Sequence, residues 1–547
     1  MTDSSHKTFF SGFRITSLMT LLSRLLGMLR DVATAWLFGA SGSGVMDAFV
    51  MAFRIPDLFR RLFGEGALTA SYLPVISERL ENDRRSAEQL ASATLASFTV
   101  LICVIVVICE IACALLLARD QAEPVQAESV RLLLSFASAL LPYVLFISLT
   151  AQLSATLHAL NHFTAPAIAS SLLNVGWLIG IGAAVYFADD EVTRAYVLIG
   201  SLLIAGVLQT VLQFAVLRCL DFRFRWDWAA SRPHLRRIVI AMLPALLGLS
   251  ITQINTLCDS VMAWTFSVGP NGPATISWLG DVAFPMKQGA AAATYYGERL
   301  YMFPLGLIGI ATATVIFPLL SQHAARGRLD QLGRDLTTAV RLVLFLAVPA
   351  SFGLFLLAEP IVRLLFQRGE FTAEDTFRTA SMIRGYALGV WAFCVIPVVV
   401  RGYYALGDLR TPVCIGSLVI TANMALNFWL MWQLSEAGLS LATSATAAIQ
   451  VGLLVGFFSR AETQLALSEL AKSALLITAG SIVMWGVGFM LLNWLSQAPS
   501  DSEWGRVLQV SVPLLGCVIV YLATARIFRS RELDELVRGM LNRKPGK

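Results

Sequence analysis

The residues whose chemistry is easiest to interpret lie close together near the start of the chain, within residues 23–65. This stretch is apolar enough to lie in a lipid bilayer, yet it contains five arginines and four carboxylates. They are Arg24, Arg30, Arg54, Arg60 and Arg61, with Asp31, Asp47, Asp57 and Glu65. An arginine at mid-bilayer costs roughly 2.5–3.5 kcal/mol on insertion scales. We therefore expect the arginines to face one another, a carboxylate or a water-filled cavity, although single arginines near the end of a span can also reach the lipid head groups.

Arginines that line a cavity favour phosphate, because the planar guanidinium group binds two oxygens at once and desolvation strengthens the contact. A second charged group, Glu298 and Arg299, opens another apolar run. The carboxylates Asp47, Glu65 and Glu298 can pair with some arginines and leave others for a ligand. The pattern predicts transport of a large anionic head group. The alternative is that these acids form salt bridges that latch helices together.

The composition indicates what kind of chain positions these charges. Of 547 residues, 56% are hydrophobic and 14% are charged, whereas soluble domains have about 25% charged residues. Apolar runs of about 20 residues recur along the whole length, as in membrane-spanning helices and unlike β-barrel strands. We predict an all-α polytopic membrane protein with about 14 transmembrane helices. The spans begin near Phe13, Val45, Glu88, Glu128, Ala165, Arg194, Arg236, Ala291, Gln331, Phe377, Thr411, Gly438, Leu467 and Gly505.

The loops between the predicted spans differ in charge, and the difference predicts their orientation. Basic loops, such as residues 79–85 and 218–237, alternate with acidic loops, such as residues 189–191 and 370–375. Loops rich in Lys and Arg are characteristic of the cytoplasmic side. With an even number of spans, both termini are predicted to be cytoplasmic. The basic tail, residues 531–547, is predicted to lie on the inner leaflet as a short amphipathic helix.

An internal repeat is visible in two pairs of segments. The first pair is GALTASYLPVIS around Pro74 and GIATATVIFPLLS around Pro318, and the second is HALNHFTAPAIASSLLN around Pro166 and YALGDLRTPVCIGSLVITAN around Pro412. Both pairs are offset by roughly 245 residues, as expected after a duplication. The repeat predicts two pseudo-symmetric six-helix lobes with a cleft between them, followed by two extra C-terminal helices. The predicted divisions are an N-lobe 1–235, a C-lobe 236–462, extra helices 463–530 and a cytoplasmic tail 531–547.

Other kinds of chemistry have little support in the sequence. The eight cysteines lie mostly inside apolar runs, and none has metal-ligand spacing. The sequence contains no catalytic triad, phosphate-binding loop or ATPase motif, so we predict a secondary transporter and not an enzyme. Nothing in it suggests a nucleic-acid partner.

Several long motifs resemble those of the MurJ (MviN) family. They are SRLLGMLRD, MDAFVMAFRIPDLFRRLFGEGALTASYLPV, YYGERLYMFPLGLIGIATATVIFPLLS, LLFQRGEFTAEDT and GYYALGDLRTPV. The resemblance covers nearly the whole chain, and the family resembles a wider superfamily of multidrug and oligosaccharidyl-lipid exporters. It implies a flippase of the bacterial cytoplasmic membrane that works by alternating access. Its substrate would be lipid II, the undecaprenyl-pyrophosphate-linked peptidoglycan precursor, moved from the inner to the outer leaflet.

The resemblance also implies roles for particular residues. The positions that match the family's cavity-lining charges are Arg24, Arg30, Asp47, Arg60, Arg61, Glu65 and Arg299. Arg54 stands where relatives often carry Lys, and Glu298 stands where Asp is common, so both keep the charge. The arginines would bind the substrate, and Asp47, Glu65 and Glu298 would act in gating or salt bridges. A further acid of some relatives corresponds to Met302 here.

A cation site is implied between the seventh, eleventh and twelfth helices. The matching positions are Asp259, Asn423, Asn427 and Thr443, and no other cofactor is expected. One acid with amide and hydroxyl oxygens suits Na⁺, which is a hard cation. The alternative is that the asparagines and the threonine form hydrogen bonds between helices.

Two other functions stay open at this point. A cation-coupled multidrug exporter, or an exporter of another polyprenyl-diphosphate oligosaccharide, would share the architecture. A drug exporter would need an apolar or acidic pocket, whereas this one is rich in arginine. A membrane enzyme of prenyl-phosphate metabolism would normally need paired aspartates near loop ends, and none stands out. The partners that we expect are lipid II and membrane lipids, with other cell-wall synthesis proteins as further candidates.

Overall fold

The computed structural model describes residues 22–64, 67–122, 128–269, 272, 274–459, 465–496 and 502–541. These residues form helices joined by short loops, and the one sheet among them is a two-stranded hairpin. The prediction of an all-α fold is therefore confirmed. Glu65, which the sequence placed among the cavity charges, lies outside the described residues.

The first half of the chain contributes α1 to α8. The helices are α1 at 22–38, α2 at Val45–Phe59, α3 at Ala67–Asn82, α4 at Arg84–Ala122, α5 at Glu128–Ala159, α6 at Thr164–Phe187, α7 at Glu191–Cys219 and α8 at Trp228–Thr265. Between α2 and α3, Arg60–Gly64 forms a π-helix. A hairpin follows α8, with strands β1 at Thr275–Ile276 and β2 at Val282–Ala283.

The second half contributes α9 to α18. The helices are α9 at Ala290–Pro304, α10 at Ala311–Ala325, α11 at Leu329–Leu365, α12 at Ala373–Ala387, α13 at Val390–Ala405, α14 at Arg410–Leu434, α15 at Glu436–Phe458, α16 at Leu467–Ser496, α17 at Glu503–Ile527 and α18 at Arg531–Leu541. Between α9 and α10, Leu305–Ile310 forms a second π-helix.

The order of elements repeats along the chain, as the paired sequence segments predict. A helix, a π-helix and a second helix occur first at 45–82 and again at 290–325, and both bounds of α2 recur 245 residues later in α9. A proline lies inside each first helix, Pro56 in α2 and Pro304 in α9. Because proline has no N–H to donate along the helix, it loosens the hydrogen-bond ladder near the π-turns. The helix is therefore interrupted at equivalent positions in both repeats.

Ten of the described helices are long and apolar enough to cross a membrane, or eleven if the bent pair α12 and α13 counts as one span. The chain is therefore a multi-pass membrane protein. The other predicted spans correspond to α1, to α2 with α3, and to α8. Each predicted span thus coincides with helical structure among the described residues, and the predicted start of the first span, near Phe13, lies outside them.

The chain divides into two compact units. Among the described residues, unit 1 comprises everything up to Leu257 together with Ser267–Ala292 and Arg368–Phe371. Its core includes Tyr72, Phe98 and Phe222. The boundary at Leu257 falls inside α8, which runs without a break past the predicted lobe boundary at 235.

Unit 2 comprises Cys258–Phe266, Ala293–Gln367 and the described residues from Thr372 onward. Its core combines α11, α13 and α15 with the two C-terminal helices α16 and α17, through residues such as Phe345, Phe458 and Tyr521. Tyr521 Oη donates a hydrogen bond of 2.7 Å to the carbonyl of Phe345. The further division into a C-lobe, extra helices and a tail stays a prediction.

The described part of the tail forms α18, and a buried acid attaches it to unit 2. Glu532 is 4% exposed and lies 2.6 Å from the guanidinium of Arg341 on α11. Ser473 of α16 and Ser530 also donate to its carboxylate, each at 2.7 Å. Burial by itself would raise the pKa of Glu532, but hydrogen bonds from Ser473, Ser530 and Arg341 outweigh it and lower the pKa below its ordinary value. Glu532 is therefore ionised at neutral pH and holds α18 against α11 and α16.

We expect Glu532→Ala to detach α18, because Arg341 would then be buried without this carboxylate. Breaking a buried pair in this way typically costs about 3–5 kcal/mol. Protease cleavage within residues 531–541 should become faster, and hydrogen exchange of the helix should increase. Glu535→Ala is the matched control, since Glu535 is an exposed acid on the same helix. Equal cleavage of the two variants would contradict the attachment.

The same attachment should weaken in acid. The pKa of Glu532 is lower in the folded chain than in the unfolded chain, so its stabilisation is present above the unfolded value of 4.5. It is lost as the pH falls from there through the folded pKa. Hydrogen exchange of α18 should therefore be steady near neutral pH and rise, after correction for intrinsic rates, only in that acidic range.

Candidate functional site

Arg30 on α1 is held by an ion pair with Asp31 and by two uncharged side chains of α6. Its guanidinium donates to Asp31 Oδ1 at 2.8 and 3.0 Å and to Asn174 Oδ1 at 3.1 Å. It also lies 4.6 Å from the ring centroid of Trp177, a cation–π distance. Trp177 is fully buried and donates from Nε1 to Thr34 Oγ1 at 3.0 Å, so the ring is fixed. The side chain of Arg30 is thus preorganised by α6 and is only 11% exposed.

Arg60 and Arg61 open the π-helix after α2, and both bind the carboxylate of Asp57. Arg60 Nη2 lies 2.8 Å from Oδ1, and Arg61 Nε lies 2.8 Å from Oδ2. Asp57 itself is buried. The side chain of Arg60 is 33% exposed and that of Arg61 is 18% exposed. One carboxylate thus orients two guanidinium groups, of which Arg60 is the more accessible.

We call Arg30, Arg60, Arg61 and Asp57 the arginine site of unit 1. Arg54, one and a half turns before Arg60 on α2, is buried, whereas Arg24 on α1 is exposed. The three arginines of the site and the two carboxylates that pair with them, Asp31 and Asp57, carry a formal net charge of +1. A buried, partly accessible group of guanidinium groups with excess positive charge can bind a phosphate-containing anion.

Arg299 and Glu298 lie on α9 in unit 2. The guanidinium of Arg299 is 4.4 Å from the ring centroid of Tyr295, one turn earlier on the same helix. Glu298 is 3% exposed and Tyr295 is 5% exposed. The stacked geometry orients the guanidinium group of Arg299. That these residues and the arginine site face one cleft stays a prediction.

Asp47 caps the start of α9 with its side chain. Its carboxylate accepts hydrogen bonds from the backbone N–H of Gly289 at 2.7 Å and of Ala292 at 2.8 Å. Gly289 has a φ of +92°, and a side chain there would collide with the carbonyl oxygen of Ala40 at 2.5 Å, so glycine is required. The buried carboxylate therefore satisfies N–H groups that a helix start leaves unpaired. This role was not visible in the sequence, and the predicted gating role of Asp47 stays a prediction.

The four predicted cation ligands lie together in unit 2 and are all buried. Asp259 accepts hydrogen bonds from Asn427 Nδ2 at 2.6 Å and from Thr443 Oγ1 at 2.9 Å. Asn423 donates to Thr443 at 3.3 Å and to Thr446 at 3.2 Å, and it accepts from Asn427 at 3.0 Å. The donor set of one carboxylate, two amides and two hydroxyls fits a hard monovalent cation in chemistry. A cation would have to replace the hydrogen bonds that now reach Asp259.

Sequence reasoning did not assign several residues of these clusters. Asp57 was recognised as a charge in the first cluster but not as the group that orients two arginines. Asn174 and Trp177 gave no signal, because they contact Arg30 from another helix. Thr446 could have been found, since it follows Thr443 by three residues and so lies on the same helix face.

Comparison with known proteins decides the family. The family model described as "Lipid II flippase MurJ" matches residues 34–498. The chain belongs to the lipid II flippase MurJ family. A relative in Vibrio cholerae, named "Probable lipid II flippase MurJ", is 32% identical over 523 residues, which cover 92% of each chain. The predicted family is thereby confirmed.

Solved structures agree with the MurJ fold. One, described as "Lipid II flippase MurJ, inward closed conformation", matches with a TM-score of 0.74 at 23% identity and covers 96% of this chain and 99% of its own. An inward-facing multidrug resistance MATE family transporter of the MOP superfamily matches with a TM-score of 0.63 at 15% identity, covering 82% of this chain and 96% of its own. At these identities the likeness concerns the fold, and it places the MurJ fold beside the MATE fold as predicted.

We expect Asp47→Ala to destabilise the protein by about 1–2 kcal/mol, as does the loss of a good helix cap. Asp47→Asn should have a smaller effect, because the amide oxygen can still accept one of the two hydrogen bonds. The measurement is the melting temperature of the purified protein in detergent. Asp190→Ala is the matched control, since Asp190 caps α7 through Thr193 N on the exposed surface. The cap is refuted if Asp47→Ala melts at the wild-type temperature.

Proposed function

We propose that this chain is a flippase that moves lipid II from the inner to the outer leaflet of the cytoplasmic membrane for cell-wall synthesis. Family membership over residues 34–498 is the observation that carries the proposal. The multi-pass helical fold and the arginine site of unit 1 support it, because lipid II carries a diphosphate between its sugar and its prenyl chain. The locations of the two termini on the cytoplasmic side belong to the same proposal.

The arginine site is suited to bind the diphosphate of lipid II. Arg60 and Arg61 share the carboxylate of Asp57, so two guanidinium groups lie close together where an anion can contact both. Arg30 is oriented by its ion pair with Asp31 and by two uncharged partners, Asn174 and Trp177. Guanidinium groups fixed in this way need little reorganisation when a phosphate arrives.

Translocation needs no covalent step. The head group would enter the cavity from the cytoplasm while the prenyl chain stays in lipid, and the two lobes would rock to expose it outside. The membrane potential or a cation gradient would reset the lobes, and one charge crossing the membrane is worth about 2.3 kcal/mol per 100 mV. The cation would bind at Asp259, Asn423, Asn427 and Thr443, where buried oxygens converge.

The positive charge also bears on the alternative functions. A cationic drug would be repelled by the arginine site, so a multidrug exporter is the weaker candidate. An exporter of another polyprenyl-diphosphate oligosaccharide would use the same diphosphate contacts. The two functions differ only in the sugar and peptide of the substrate that is transported, and family membership favours lipid II.

We expect Arg30→Ala and Arg60→Ala each to lower lipid II flipping by roughly tenfold or more, since a lost hydrogen bond to a charged group is worth about 1.5–3 kcal/mol. Flipping is measured with labelled lipid II in vesicles that contain the purified protein. In cells depleted of their own lipid II flippase, the wild-type chain should restore growth and these variants should not.

The matched control is Arg237→Ala, because Arg237 is an exposed arginine of unit 1 that pairs with Glu78 at 3.0 Å. It should flip lipid II and restore growth like the wild type. Full activity of Arg30→Ala and Arg60→Ala, at equal amounts in the membrane, would show that the arginine site does not bind substrate. A wild-type chain that neither flips lipid II nor restores growth would refute the proposed function itself.

For the cation, we expect Asp259→Asn to abolish any dependence of flipping on a sodium gradient, since it removes the one carboxylate among these oxygens. Glu436→Gln is the matched control, because Glu436 is also a buried acid of unit 2 but pairs with Arg378. It should lower stability without changing the response to sodium. The same sodium response in Asp259→Asn and in the wild type would rule this cluster out.

A further inference from the structure

Tyr143, on α5 in unit 1, is buried completely, yet its hydroxyl makes no hydrogen bond. A buried phenol is normally hydrogen-bonded, because an unpaired donor loses its contact with water and gains nothing in return. Tyr72 in the same unit shows the ordinary arrangement. It is equally buried, and its hydroxyl lies 3.0 Å from Thr156 Oγ1.

The ring of Tyr143 is fixed by its packing. Gly206 of α7 lies directly against it, and a side-chain carbon at that position would come within 2.9 Å of two ring atoms. Only glycine therefore allows the ring to lie where it does. Because α7 packs against the ring, the hydroxyl cannot move away to reach water or another partner.

The hydroxyl is placed next to the arginine site. Helix α5, which carries Tyr143, packs against α2 and against the π-helix that begins with Arg60 and Arg61. The charges of Arg60, Arg30 and Asp57 reach the hydroxyl from this side. Arg30 lies on α1 and Arg60 on the π-helix after α2, so different elements bring guanidinium groups to this part of unit 1. The side chain of Arg60 is one-third exposed, so it is the member of the arginine site that a ligand reaches most easily.

We propose that the hydroxyl of Tyr143 is a further donor of the arginine site and binds an oxygen of the diphosphate once Arg30 and Arg60 have engaged it. The inference rests on the proposed function and deepens it, because it adds a neutral ligand-binding residue to the charged ones. A hydroxyl group donates a directional hydrogen bond to the diphosphate and adds no further buried positive charge. Its missing partner in the ligand-free chain is then the substrate.

The test compares Tyr143→Phe with Tyr72→Phe in the purified full-length protein. Each change removes one hydroxyl from a fully buried ring, but only Tyr72 loses a hydrogen bond within the protein. Two quantities are measured, the melting temperature without ligand and the affinity for lipid II. Affinity for undecaprenyl diphosphate is measured as well, since it has the diphosphate but lacks the sugars and the peptide.

We expect Tyr143→Phe to melt at or above the wild-type temperature and to bind both lipids roughly tenfold more weakly, the usual scale of a hydrogen bond to a charged group. Equal weakening for both lipids assigns the contact to the diphosphate. Tyr72→Phe should show the opposite pattern, with a lower melting temperature and unchanged affinities.

The inference is overturned if Tyr143→Phe binds both lipids as tightly as the wild type. It is also overturned if that variant melts as low as Tyr72→Phe, which would show that the hydroxyl has a structural partner such as a buried water. Weakening for lipid II alone would assign the contact to the sugar or peptide and would refute the diphosphate. A wild-type chain that binds neither lipid refutes the proposed function, and the inference with it.

Discussion

A buried carboxylate that holds two guanidinium groups is the interaction on which the arginine site depends. Asp57 is 2.8 Å from both Arg60 and Arg61, which would otherwise repel each other in a poorly hydrated place. Removing one partner of a buried charge group is costly, so this arrangement fixes both side chains. Because one negative charge serves two positive ones, the geometry is secured while positive potential remains. That combination is what a binding site for an anion requires.

Other arginines of this protein are held in ways that differ with their role. Arg30 and Arg299 stack on the aromatic rings of Trp177 and Tyr295, which orient their guanidinium groups, and Arg30 also pairs with Asp31. Arg341, by contrast, lies in a close ion pair with Glu532, which attaches a peripheral helix to the core of unit 2. The two stacked arginines are among the residues proposed to bind substrate, whereas Arg341 serves attachment.

The two π-helices place the charged residues differently in the two repeats. The first begins with Arg60 and Arg61, and the second, Leu305–Ile310, is apolar. Duplication thus preserved an interruption of the helix at the same point, while the side chains on it diverged. In the second repeat, the charged pair Glu298 and Arg299 lies two turns before the π-helix, on α9. The two repeats therefore share the π-helix but differ in the side chains that lie on it.

The sequence by itself determined the membrane-spanning helices, the repeat and the position of the arginines along the chain. These features depend on local composition, on apolar runs of sufficient length and on similarity at a fixed offset, all of which can be read without knowing any contact. The helical positions and the family follow from such local signals.

Only the tertiary structure decided which side chains meet. Arg30 binds Asn174 across 144 residues, and Asp47 caps a helix that begins more than 240 residues later. The convergence of Arg60 and Arg61 on Asp57 depends on the backbone at the start of the π-helix, and the position of Tyr143 depends on its packing against Gly206. Such contacts depend on how helices pack and how their backbones turn. Packing brings together residues that are distant in the chain, and the local sequence around one of them contains no information about the other.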